Sequence, residues 1–135
     1  MLKVLVIDDD PAMTEILNYH LTSGGMEVRV VNDGQNGLDC IGDFNPSLIL
    51  LDLLMPELDG WDVCRAIKLK YQIPILILSA VDNPTRIAEA LDAGADDYLI
   101  KPVTSESLIA HINNLIRRTN IKNSLFSNHN IQINN

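Results

Sequence analysis

The 135-residue chain can bury about two thirds of its unfolded surface around a single core and has no room for a second full domain. Its 10 Lys plus Arg stand against 18 Asp plus Glu, and the field of the resulting −8 charge repels polyanions, which argues against this chain alone gripping nucleic acid. An apolar content of 47% is too high for a disordered chain, and no apolar run approaches the ~18 residues of a membrane span, so a cytoplasmic domain with no membrane contact is expected.

Met1-Leu2-Lys3-Val4 has no signal-peptide layout and leads into Lys3-Val4-Leu5-Val6-Ile7, a nearly continuous apolar run of the kind a strand covered on both faces requires. Asp10-Pro11 then sets a capping carboxylate before a proline suited to the first helical turn, and Met13, Ile16, Leu17 and Leu21 share one face until Gly24-Gly25. Glu27-Val28-Arg29-Val30-Val31 mixes charge into a strand, which suits a sheet edge. A weaker helix is predicted from about Gln35 to Gly42, with Leu38 and Ile41 inward.

Leu48-Ile49-Leu50-Leu51 and Ile75-Leu76-Ile77-Leu78 are two further central strands, separated by a helix from about Gly60 to Leu69 that buries Trp61, Cys64 and Ile67. Asn83-Pro84 repeats the cap-then-proline start for a fourth helix, which shows Ile87 and Leu91 and ends at Gly94. The short run Tyr98-Leu99-Ile100 reads as the second edge. Thr104 caps a last helix carrying Leu108, Ile109, Ile112, Leu115 and Ile116, closed by Arg117-Arg118. Beyond Thr119 the chain turns Asn-rich and helical periodicity fades, so residues 1–120 are expected to form one domain and 121–135 a linker or tail. Cys40 and Cys64 lack CxxC spacing and read as packing thiols, while His20, His111 and His129 lack metal-ligand spacing.

Strands alternating with helices predict an α/β domain with a parallel sheet, in which ligands bind beyond the carboxyl ends of the strands. Those ends carry Asp8-Asp9-Asp10, Asp52, Ser79 and Lys101-Pro102. Carboxylates gathered at one rim repel one another unless a cation sits among them, and hard oxygen ligands suit Mg²⁺, which commonly completes its shell with phosphate oxygens. Lys101 can add positive charge for such a phosphate, and Asp52 can then act as a nucleophile. Singly, each acid is explained as a turn or cap residue, and for Asp10 capping suffices. Jointly, the set at one rim points to a site.

In these residues the chain resembles the receiver domains of two-component response regulators over roughly residues 1 to 120. The resemblance rests on Asp8-Asp9, on Asp52-Leu53-Leu54-Met55-Pro56-Glu57-Leu58-Asp59-Gly60, on Ser79-Ala80, and on Gly94-Ala95-Asp96-Asp97-Tyr98 leading to Lys101-Pro102. It implies a flavodoxin-like (βα)5 three-layer sandwich with strand order 2-1-3-4-5, and phosphorylation of Asp52 by a sensor histidine kinase. It further implies Mg²⁺ held by Asp9, Asp52 and the Leu54 carbonyl, with Asp8 acting through water. Ser79 and Lys101 are implied to contact the phosphoryl group, Tyr98 to turn inward as a switch with Ser79, and the Lys101-Pro102 bond to be cis. The output surface implied is the fourth helix, last strand and fifth helix.

The region after Arg117-Arg118 resembles the linker of the OmpR-like winged-helix transcriptional class, which implies either an effector domain after residue 120 or a stand-alone receiver. That class pairs through charged residues on the output surface. Asp92, Asp96, Asp97 and Arg118 match the pattern, whereas Ile87, Ser107, His111 and Asn113 depart from it, as Val103 departs from the usual phenylalanine. Three other readings compete. One is a haloacid-dehalogenase-like phosphatase with Asp8 of Asp8-Asp9-Asp10 as nucleophile. Another is a flavin-binding flavodoxin-like protein, disfavoured by acids where phosphate-binding donors belong. The third is a degenerate receiver that only docks.

Overall fold

The computed structural model describes the backbone of residues 1–134 and the side chains of residues 1–122. Five strands, β1 (Lys3–Ile7), β2 (Glu27–Val31), β3 (Leu48–Leu51), β4 (Ile75–Ser79) and β5 (Asp97–Ile100), alternate with five helices. These are α1 (Pro11–Ser23), α2 (Gly34–Phe44), α3 (Gly60–Lys70), α4 (Pro84–Asp92) and α5 (Ser105–Asn134). All strand pairs are parallel and the order is β2-β1-β3-β4-β5, with the charged β2 and the short β5 at the margins as expected.

The continuous apolar runs are divided between two cores by the two-residue period of a strand. Leu5, Ile7, Ile49, Leu51, Ile75 and Ile77 face one way and pack with Ile41 and Phe44 of α2, Trp61, Cys64 and Ile67 of α3, and Ala90 of α4. Val4, Val6, Leu48, Leu50, Leu76 and Leu78 face the other way and meet Leu17 and Leu21 of α1 and Leu108, Ile112 and Leu115 of α5. The result is a three-layer sandwich, and each side chain so buried contributes on the order of 1.5–3 kcal/mol.

Helix starts follow the sequence signals. Asp10 accepts from the Ala12 and Met13 amides ahead of α1, Asp33 from Asn36 ahead of α2, Asp59 from Asp62 ahead of α3, and Asn83 from Thr85 and Arg86 ahead of α4. The Ser107 amide donates to Thr104 Oγ1 at the start of α5. Gly94, at φ +120°, follows α4 in a conformation that L side chains rarely adopt.

Three sequence expectations are corrected. Ile16 and Leu91, each read as a member of its helix's apolar face, are exposed, because Thr14, Leu17 and Leu21 hold the buried positions of α1 and Ala90 that of α4. The backbone stays helical from Ser105 to Asn134 instead of losing its helix near Thr119, since that stretch contains neither proline nor glycine to break it. His129 and the fragment Ile131-Gln132-Ile133 lie outside the described side chains.

Cys64 is fully buried against Ile67 and the strands, and burial pushes its thiol up to about 11 while Cys40 is only half-buried. Iodoacetamide treatment of the native protein at about pH 8 is therefore expected to leave Cys64 unmodified until the fold is melted. Rapid native alkylation of Cys64, read by peptide mass spectrometry, would contradict this packing.

Candidate functional site

The order 2-1-3 means the crossovers run in opposite directions along the sheet on either side of the β1–β3 boundary, and the crevice beyond a switch of this kind is where open α/β sheets bind ligands. Asp8 follows β1 and Asp52 follows β3. The Asp52 amide donates to the Ile7 carbonyl at 3.0 Å, so the two acids leave the sheet side by side. One carboxylate oxygen each from Asp8, Asp9 and Asp52 lies within 4.8 Å of the others. Asp8 and Asp52 are buried, Asp9 partly so.

Lys101 enters from the far side of the sheet. Its amide donates to the Ser79 carbonyl at 2.9 Å, which fastens the end of β5 to the end of β4, and the Lys101–Pro102 peptide is cis. Its ammonium donates to Asp8 Oδ2 at 2.9 Å and Asp52 Oδ2 at 3.3 Å. Burial raises the Asp8 carboxyl above its ordinary range, a rise opposed by the Asp10 amide and by Lys101. For Lys101 burial alone would lower the ammonium, but the bonds and charges of Asp8 and Asp52 prevail and hold it protonated.

The β3–α3 loop has its own constraints. The Leu54 amide donates to Asp52 Oδ1 at 3.3 Å, and the Leu54 side chain is exposed beside the site. Glu57 takes a left-handed φ of 68° in a tight turn closed by the Leu58 amide and the Pro56 carbonyl. Gly60 is packed against the acid-bearing backbone: a Cβ there would sit 2.4 Å from Leu53 Cα and 2.5 Å from the Asp52 carbonyl oxygen. The sequence marks Asp59-Gly60 only as a turn into a helix, and this close approach is the reason a glycine stands there.

Ser79 is fully buried at the end of β4, where its Oγ accepts from the Val81 amide. Tyr98 turns inward, packs on the core beneath α4 and donates its hydroxyl to the Val81 carbonyl, so Ser79 and Tyr98 share Val81 as a partner. Burial raises the Tyr98 phenol. Thus Asp8, Asp9, Asp52 and Lys101 form one cluster, with Ser79 joined to it through Lys101 and Tyr98 behind it. Asp10 is turned to the start of α1, so its carboxylate is occupied as a cap. None of the His20, His111 or Cys40 side chains belongs to the acidic group. Sequence reasoning missed Thr14, buried in α1, and Asn32, whose amide donates to the Asp8 carbonyl and to Thr14 Oγ1. An asparagine next to a helix cap gives no sequence signal of that contact.

A parallel 2-1-3-4-5 sheet with helices on both faces is a flavodoxin-like (βα)5 fold, and here its carboxyl rim gathers three carboxylates and a lysine. The family model for the response regulator receiver domain matches residues 4–113. Response regulator MprA of Mycolicibacterium vanbaalenii is 43% identical over 118 residues, 87% of this chain and 51% of that protein. A two-component response regulator structure from Clostridium difficile shares 30% identity at TM-score 0.86, covering 89% of this chain and 99% of that one. The BeF3-activated receiver domain of Klebsiella pneumoniae RstA shares 30% identity at TM-score 0.82, covering 85% and 98%. The chain belongs to the response regulator receiver domain family, the signalling module of two-component systems. It spans about half the length of the curated relatives it matches. Among the described residues, no helix is long and apolar enough to cross a membrane.

Two outcomes follow. Gly60→Ala is expected to cost about 1–3 kcal/mol in urea unfolding, because the atoms it meets are backbone and cannot turn aside; unchanged stability would contradict the packing. Lys101→Met leaves the buried Asp8 without its ammonium and is expected to lose about 3 kcal/mol in metal-free buffer near neutral pH. With Lys101 gone, the folded Asp8 carboxyl rises further above its unfolded value, so the variant's stability falls as pH rises through that raised value and the deficit shrinks in acid. A deficit that grows in acid would contradict the assignment.

Proposed function

We propose that a sensor histidine kinase phosphorylates this domain on Asp52 in a Mg²⁺-dependent transfer, and that the phosphoryl group biases the α4–β5–α5 face that carries the output. The observation that supports this reading is the grouping of three carboxylates from two adjacent strands within 4.8 Å, faced by one ammonium. The donor set fits the ion, since hard carboxylate oxygens with an open side suit a cation that keeps several waters. Asp9, Asp52 and the Leu54 carbonyl would hold it directly and Asp8 through water. When bound, Mg²⁺ supplies the charge neutralisation that lets a carboxylate approach a phosphoryl group.

In the transfer an Asp52 carboxylate oxygen forms a bond to phosphorus while the P–N bond to the kinase imidazole breaks, and the imidazole takes up a proton as it leaves. Lys101 moves from Asp52 to pair with a phosphoryl oxygen, and the Ser79 hydroxyl donates to another. Drawing Ser79 toward the site changes the surroundings of Val81 and gives the Tyr98 ring room, a two-state element biased by a local charge. Helix α4 has Ala90 as its one buried residue, so it can shift without dismantling a core.

The domain assists its own phosphorylation and dephosphorylation and turns over no external metabolite. Residues 1–120 act as the receiver and 121–135 as a linker, with an effector domain beyond it in the longer protein that the length of the relatives suggests. Transcription regulation would be the output of that effector, not of this acidic chain, and the α4–β5–α5 face is the surface for a homodimer. The cytoplasm is the compartment proposed. Capping by Asp10 speaks against a phosphatase of the Asp-x-Asp type, which needs Asp10 as its second acid beside Asp8.

Asp52→Ala is expected to abolish Mg²⁺-dependent mass addition from acetyl phosphate. Undiminished incorporation in that variant would reject Asp52 as the acceptor.

A further inference from the structure

We propose that Asn32 is a positioning residue for the cation: it fixes the peptide that joins Asp8 to Asp9 and thereby sets the spacing of the acid pair toward Mg²⁺. This rests on the reading of the acidic cluster as a Mg²⁺ site. The β1–β2 ladder ends where the Asp8 amide donates to the Val31 carbonyl at 3.2 Å. In a parallel ladder the next donor, for the Asp8 carbonyl, would be a backbone amide two residues beyond Val31. That amide is not available, because the chain turns there: Asp33 is already the cap of α2. The side-chain amide of Asn32 takes its place and donates to the Asp8 carbonyl at 2.9 Å.

The same nitrogen lies 3.3 Å from Thr14 Oγ1, and Thr14 is buried and itself donates to the Pro11 carbonyl. Asn32 thus ties the end of β2 to the β1–α1 loop and to the first turn of α1. The Asp8 backbone is held on both sides, at its amide by Val31 and at its carbonyl by Asn32. The carboxylate of Asp8 is held separately, by the Asp10 amide and Lys101. Without Asn32 the peptide between Asp8 and Asp9 can rotate, and the Asp9 carboxylate, which has no hydrogen bond to the protein among the described residues, loses its fixed distance to Asp52. The residue has no share in starting α2, since the Asn36 amide bonds to Asp33. It is exposed except for its inward-turned amide, so its replacement leaves both cores intact.

The test titrates MgCl₂ into metal-free wild type, Asn32→Ala and Asn32→Asp by calorimetry, alongside their melting without metal. Both variants are expected to melt cooperatively and to bind Mg²⁺ about tenfold more weakly, with acetyl phosphate labelling restored by excess Mg²⁺. Asn32→Asp keeps the size of the side chain, lacks the donor and adds a charge that alone would strengthen cation binding, so weaker binding there reports the lost hydrogen bond even if Asn32→Ala packs poorly. Affinities within about twofold of wild type in both variants, whatever their melting temperatures, would overturn the proposal. Wild type that binds no Mg²⁺ would instead overturn the reading of the acidic cluster on which it rests.

Discussion

Three carboxylates gathered from the ends of β1 and β3 face a single ammonium, and the rest of the site is arranged around that unequal balance. Buried like charges resist sharing so small a space, and the fold holds them together with Lys101, which arrives from the end of β5, two strands beyond β3. The balance is incomplete by design of the chemistry: one positive charge against three negative ones leaves the rim strongly attractive to a second cation. The ammonium itself is shared between Asp8 and Asp52.

Topology determines where this balance sits. The switch of crossover direction between β1 and β3 opens the crevice, the ladder from Ile7 to Asp52 brings the acids level, and the bond from Lys101 to Ser79 brings the opposite margin of the sheet to the same rim. The two cores, one on each face, hold β1, β3 and β4 in register, so the positions of the acids follow from ordinary packing of Leu, Ile and Val. The thinly buried α4 stands apart from this rigidity. Of its residues only Ala90 is buried, and the Arg86 carbonyl accepts from Trp61 Nε1, so this helix is held at fewer points than the strands that carry the acids.

Much of this was legible in the residues. Continuous apolar runs marked the covered strands, Arg29 and the brevity of β5 marked the edges, and the polar residues closing each run marked the rim. What periodicity could not give was anything decided by a single long-range approach. Gly60 looked like a turn, and only its distance to the Asp52 carbonyl shows why no Cβ fits. Asn32 carried no sequence signal, and only the end of the β1–β2 ladder shows what its amide replaces. Ile16 and Leu91 fit the helical period yet point to water, because a 3.6-residue repeat identifies an apolar stripe without saying which of its members meets a neighbour. Residues 119–134 lack that stripe and are helical nonetheless, since amphipathicity reports packing rather than backbone conformation.

The most direct measurement asks which carboxylate, if any, takes up a phosphoryl group. Borohydride reduction after treatment with acetyl phosphate and Mg²⁺ converts an acyl phosphate to an alcohol, and peptide sequencing then reads its position. The expected product is homoserine in place of Asp52, dependent on Mg²⁺. Homoserine in place of Asp8 or Asp9, or at Asp52 equally without the ion, would contradict that assignment.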